Sequence, residues 1–157
     1  MPVTVNKKVP AFSAAASGDK TLSLKDFKGK NLVIYFYPKD NTPGCTQEGQ
    51  DFRDSYSKFK RARTVVLGVS RDSVRVHDGF IAKHEFPFDL LSDPDETLCT
   101  LFDVIKLKKN YGKEYMGIER STFLIDSTGV LKEEWRGVKV KGHVDEVLNA
   151  AKQYKPE

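Results

Sequence analysis

Residues 31–38, NLVIYFYP, are apolar at almost every position and rich in β-branched and aromatic side chains. A run of this kind, without alternation, predicts a strand covered on both faces. Residues 63–73, RTVVLGVSRDS, predict a second buried strand, and 88–93, FDLLSD, a short third. Between them the spacing becomes helical. Phe52, Tyr56 and Phe59 mark one apolar face in 46–62, which predicts a helix beginning near Cys45. Residues 73–85 predict another, capped by Asp72 or Ser73. In 95–105, Leu98, Leu101, Phe102 and Ile105 fall at i, i+3, i+4 and i+7, an amphipathic helix. Residues 11–24 alternate loosely around Ser-Gly-Asp-Lys, as a hairpin does, and 120–137 predict a second hairpin turning over 126–129. Residues 143–155 close the chain as a helix. No repeat or linker divides it, so residues 1–157 are expected to form a single domain. Strands and helices in this order predict an α/β fold, a sheet with helices on both faces.

Composition narrows the function classes. The chain is 39% hydrophobic and 31% charged, ordinary for a globular protein. Its net charge of +4 comes from 26 basic and 22 acidic residues interleaved along the chain, which argues against a nucleic-acid groove. No apolar run reaches the roughly 20 residues of a membrane span, and the N-terminus lacks an apolar signal segment. A cytoplasmic location is expected, and two cysteines without a disulfide framework suit its reducing conditions. A monomer is expected, with a dimer as the alternative, since no exposed apolar stripe is evident.

One of the two cysteines stands in a conspicuous setting. Cys45 lies at the first strand-to-helix junction, at the carboxyl end of a central strand, where open sheets place their sites. A thiol is a poor nucleophile until ionised, and a helix N-terminus favours the thiolate through unpaired N–H groups and partial positive charge. Pro43 and Gly44 stop the strand and let backbone N–H groups converge, and Thr42 places a hydroxyl three residues before the sulfur. A cation to hold the thiolate is missing locally, because Lys39 and Arg53 read as solvated. The plain alternative is a small hydrophobe packed under the first turn. The polar punctuation of Thr, Pro and Gly speaks against it.

The stretch PKDNTPGCT resembles the peroxiredoxin signature of Pro38, Thr42 and Cys45, and YFYPKDNTPGCTQEGQDFRD is similar to its PrxQ or bacterioferritin-comigratory-protein form. The likeness continues through VLGVSRDS, FPFDLLSD, FDVI and GIERSTFLID. It implies a thioredoxin-like fold of the peroxiredoxin type, with a central mixed sheet flanked by helices. It also implies an antioxidant, thiol-dependent peroxidase acting on hydrogen peroxide and alkyl hydroperoxides without a cofactor or metal. Cys45 would be the peroxidatic nucleophile, and Arg120 in GIERSTF would supply the missing cation. Thr42 would position the peroxide, while Pro38 and Pro43 restrict the loop. Glu48, one helical turn after Cys45, would either orient an arginine or relay a proton. The other reading makes it an ordinary first-turn acid favoured by the helix dipole.

The chain departs from the family pattern in its resolving step. Many relatives carry a second cysteine five residues after the first, where this chain has Gln50. Others carry it in the following helix, where Ile81 stands. Two routes remain open. A one-cysteine enzyme would be reduced by an external thiol, whether thioredoxin, glutaredoxin or a small thiol. Otherwise Cys99, beside the apolar stripe of 95–105, would have become the resolving residue; a packed structural thiol is the alternative for it.

Other signals are blander. The basic stretch 106–115, KLKKNYGKEY, reads as a solvated loop before a strand. His77, His84 and His143 lack metal-ligand spacing and read as helix-surface or cap residues, and Trp135 as core or a partly covered edge anchor. Rival functions are a peroxide sensor acting on a partner without efficient turnover, a thioredoxin-type disulfide oxidoreductase and a non-catalytic binding module. The second needs a Cys-x-x-Cys pair, and Thr42 stands where its first cysteine would be.

Overall fold

The computed structural model describes residues 2–156. Two short strands, β1 (Ser13–Ala16) and β2 (Lys20–Ser23), form the opening hairpin, and a 3-10 turn at Leu24–Phe27 leads to β3 (Asn31–Phe36). Helices α1 (Pro43–Asp54) and α2 (Tyr56–Arg61) precede β4 (Thr64–Ser70). Then follow α3 (Val74–His84), β5 (Leu90–Ser92) and α4 (Thr97–Leu101). The chain ends with β6 (Ile105–Asn110), β7 (Lys113–Ile118), β8 (Ser121–Ile125), β9 (Leu131–Trp135) and α5 (His143–Ala151).

Seven strands make one mixed sheet in the order β2-β1-β5-β4-β3-β8-β9. β3 pairs parallel with β4 and antiparallel with β8, so it has a neighbour on each side. All six of its residues are buried, as its unbroken apolar run predicts. Leu32, Ile34 and Phe36 face one core with Leu98 and Phe102, while Val33 and Tyr35 face another with Phe52, Phe59 and Phe80. The second core stacks Tyr35 on Phe52 with ring centroids 4.5 Å apart. Burying one such phenylalanine contributes about 2 kcal/mol.

Three expectations are corrected. The helix over 46–62 is two helices, because Ser55 leaves helical geometry (φ −100°, ψ 3°) and its carbonyl restarts the ladder by accepting from both Lys58 and Phe59. The helix over 95–105 ends at Leu101. Asp103 enters the left-handed region (φ 55°), and the Val104 N–H closes on the Cys99 carbonyl at 3.0 Å, a six-residue stop that sends Ile105 into β6. The basic stretch 106–115 is not a loop but the antiparallel ribbon β6–β7, turned by Tyr111 and Gly112, both at positive φ. Leu107, Tyr111, Tyr115 and Met116 stand exposed on this ribbon, an apolar surface that the strand spacing did not reveal.

The two hairpins otherwise fall where expected. Asp126 Oδ1 holds the second turn by accepting from the backbone of Thr128 and Val130 at 2.9 and 3.0 Å. Trp135 lies partly covered on edge strand β9 and donates from Nε1 to Glu146 at 2.8 Å. Ser73 caps α3 by accepting from the Val76 N–H at 3.2 Å.

Candidate active site

The site is built where β3 runs out. Pro38 follows the strand, and Asn41 takes a left-handed turn (φ 64°) that delivers Thr42 to the N-cap position of α1. Thr42 does not use its side chain to cap the helix; its hydroxyl donates to the Lys39 carbonyl at 2.8 Å. That bond occupies the hydroxyl proton and leaves the oxygen free to accept. Pro43 starts the helix, where its fixed φ suits and its missing N–H costs nothing. Gly44 and Cys45 follow in the first turn, where backbone N–H groups have no intrahelical acceptor. Cys45 is only 2% exposed.

The cation that the local sequence lacked comes from the junction of β7 and β8. Arg120 Nη2 donates to Cys45 Sγ at 3.4 Å, and Nη1 donates to Glu48 Oε1 at 2.6 Å. Gly44 makes room for this approach, since a Cβ there would stand 3.2 Å from Arg120 Nη2. Arg53, by contrast, is spent on Asp54 and on the His84 carbonyl. Glu48 is fully buried, not a surface acid at a helix end. Burial pushes its carboxyl up to about 7, against the opposing charge and hydrogen bond of Arg120. Its second oxygen, Oε2, has no hydrogen-bond partner among the described residues, and neither does the buried Tyr35 hydroxyl.

Below the turn lies a polar cluster that the sequence reading missed. Asp40 and His77 are both buried and bonded to each other at 2.6 Å, with Tyr37 donating to the same carboxylate at 2.5 Å. His77 is therefore no surface residue. It shares a helix face with Phe80, three residues on, and that spacing was the available signal. His143 is buried too, at the start of α5 beside Thr122, and burial lowers its pKa to about 4. Asp40, Asp72 and His77 offer metal-type donor atoms within 4.8 Å of one another. Each is already committed: Asp40 and His77 to one another, and Asp72 Oδ2 to Ser70 and the Asp40 N–H.

Comparison with known proteins is consistent in family and fold. The AhpC/TSA family model matches residues 5–134. Peroxiredoxin Bcp of Bacillus subtilis is 53% identical over 152 residues, covering 97% of each chain. The chain belongs to the AhpC/TSA family, among the peroxiredoxins of the Bcp or PrxQ type. A structure of Xanthomonas campestris peroxiredoxin Q superposes with a TM-score of 0.88 at 53% identity, covering 92% of this chain and 91% of that one. A Xylella fastidiosa PrxQ variant gives 0.91 at 46% identity, covering 98% of both. The mixed sheet with helices on both faces is thus the thioredoxin-like fold of peroxiredoxins. As a peroxiredoxin the protein is a peroxidase and an antioxidant oxidoreductase.

In this peroxiredoxin the second cysteine is remote from the first in kind as well as position. Cys99 is fully buried in the core on one side of the sheet, and Cys45 belongs to the core on the other. Burial, and then the hydrogen bond and charge of Asp93, push the Cys99 thiol far above its ordinary range. Gln50 faces His84, with 3.4 Å between its Nε2 and the ring Nδ1. Both residues line a polar cavity of about 310 Å³ that reaches Thr42 and Pro43. A roomier cavity of about 600 Å³, lined by Arg61, Ala62, Ala151 and Lys152, contains none of the site residues.

Proposed function

We propose that Cys45 is the peroxidatic nucleophile of a one-cysteine hydroperoxide reductase. Its thiolate attacks one peroxide oxygen; the S–O bond forms as the O–O bond breaks, and the second oxygen leaves as water or an alcohol after taking a proton. Arg120 stabilises the thiolate and the negative charge that spreads over both oxygens. Thr42 accepts from the peroxide O–H and aligns it for in-line attack. Glu48 holds the guanidinium in place, while Pro38, Pro43 and Gly44 shape the turn around the sulfur. The observation that carries this reading is the 3.4 Å contact of Arg120 with Cys45 at a helix N-terminus.

An external thiol completes the cycle. It condenses with the sulfenic acid to a mixed disulfide and water, and a second thiol then releases Cys45 and the oxidised reductant. Thioredoxin, glutaredoxin and small thiols all have this chemistry. The separation of Cys45 and Cys99 into different cores supports an external partner, since a disulfide needs Cα atoms within about 7 Å. Substrates on this reading are hydrogen peroxide and alkyl hydroperoxides. A Xanthomonas campestris bacterioferritin comigratory protein, 52% identical, has been described for its alkyl peroxide reduction activity. The whole chain acts as one domain, in the thiol-rich cytoplasm. No helix is long and apolar enough to cross a membrane.

The test is intact-mass analysis after one equivalent of hydrogen peroxide, with and without a sulfenic-acid trap, on wild type and Cys99→Ser. A trapped sulfenate on Cys45 in both proteins is the expected result. Loss of two hydrogens in wild type alone makes Cys99 the resolving residue, and an unreactive Cys45 overturns the peroxidase role. A sulfenate that forms but turns over slowly with every thiol would favour a peroxide sensor.

A further inference from the structure

His77 makes two hydrogen bonds, one to Asp40 and one to the backbone of β5. Its Nε2 lies 2.8 Å from the Leu91 carbonyl, which can only accept, so Nε2 carries a hydrogen. Its Nδ1 lies 2.6 Å from Asp40 Oδ2, so one proton sits between ring and carboxyl. The other carboxyl oxygen accepts from the Tyr37 hydroxyl at 2.5 Å. The backbone N–H of Asp40 donates to Asp72 Oδ2 at 2.8 Å, and Ser70 secures that oxygen at 2.6 Å. Asp40 is thus held through side chain and backbone by Tyr37 just past the end of β3, by α3 and by the β4–α3 connection, while His77 ties the assembly to β5. All of this lies two residues before Thr42, whose hydroxyl is set by the carbonyl of Lys39, the neighbour of Asp40.

We propose that the buried Asp40–His77 pair is a positioning device for the peroxidatic turn. Through the Lys39 carbonyl it holds the Thr42 hydroxyl in register with Cys45. This rests on the peroxidase reading of Cys45 and adds two residues to it. Neither touches the peroxide; they act through the loop. A fully satisfied buried network of this kind rigidifies its surroundings, and a misplacement of about 1 Å at a reacting centre costs on the order of 100-fold in rate.

The role is one of placement, not charge, and this sets the test. Asp40→Asn can keep every bond. Its amide N–H donates to Nδ1 of a neutral His77, whose Nε2–H still serves Leu91, and its amide oxygen accepts from Tyr37. Asp40→Ala and His77→Leu cannot. Two rates are measured at Cys45 for each variant: oxidation by hydrogen peroxide, which needs Thr42 in place, and alkylation by iodoacetamide, which does not. Asp40→Ala and His77→Leu are expected to slow the peroxide reaction by roughly 10- to 100-fold while alkylation stays within about threefold. Asp40→Asn should react with peroxide within about threefold of wild type.

Three results overturn the proposal. Asp40→Ala could react with peroxide at the wild-type rate. Asp40→Asn could be as slow as Asp40→Ala, which would make charge the working feature. The two rates could change in step, which would mean general loosening of the fold. A wild-type Cys45 that never forms a sulfenate is a separate result, and it removes the peroxidase reading itself.

Discussion

Arg120 Nη1 donates to Glu48 Oε1 at 2.6 Å, with the arginine side chain 15% exposed and the glutamate fully buried. A surface ion pair of this length contributes little, but a buried one is costly to break from one side. The pair fixes the direction of the guanidinium whose second nitrogen meets Cys45. Glu48→Ala is expected to lower the peroxide rate by about tenfold or more through a misdirected Arg120, and Glu48→Gln by less, because it keeps an acceptor. Arg120→Lys should lose about 100-fold, since one ammonium cannot reach both partners with a planar fork. Stopped-flow oxidation of Cys45 reads all three, and an Arg120→Lys enzyme near wild-type rate would remove the guanidinium geometry from the mechanism.

Thr42 should tolerate serine and not valine. Valine matches the shape and removes the acceptor, so a loss of roughly 100-fold in peroxide rate is expected for Thr42→Val, against a small change for Thr42→Ser. Equal rates for the two variants would mean that the side chain shapes the turn without touching the peroxide.

For Cys99 the expected effect is on stability. Cys99→Ser places a hydroxyl in the core that holds Leu98 and Phe102 and should cost about 1–3 kcal/mol, read as a lower Tm. Peroxide oxidation of Cys45 and its reduction by an external thiol should be unchanged. A turnover defect at unchanged Tm would point to resolution by Cys99.

The pH dependence of stability carries two opposing slopes. Glu48 is raised from 4.5 to about 7 by burial, so between those values the folded state holds a proton that the unfolded chain has released. Its contribution therefore falls as pH rises through that window. His143 is lowered from 6.5 to about 4 by burial, so there the unfolded chain binds the extra proton and stability rises with pH. The two act in opposite directions in the wild type. Denaturant melts from pH 4.5 to 6.5 should show stability rising with pH in Glu48→Gln and falling with pH in His143→Gln. Parallel curves for both variants and wild type would mean that neither group departs from its unfolded behaviour.

What the sequence determined by itself is local. The apolar run of β3, the turn at Asp126, a cap at Asp72 or Ser73 and the Thr-Pro-Gly-Cys junction were legible because side-chain period, proline and glycine act within a few residues of chain. Its spacing also misled, since Ile105 continues a helical stripe past the residue where Asp103 turns the backbone out of the helix. A family resemblance, and no local pattern, pointed to Arg120. Tertiary structure decided the rest. Arg120 meets Cys45 across 75 residues because the sheet places β8 beside β3, a long-range pairing that no local periodicity encodes. The burial of Glu48, the Asp40–His77 pair and the division of the two cysteines between opposite cores follow from the same packing. A polar side chain reads alike on an exposed or a buried helix face until the sheet that covers it is in place.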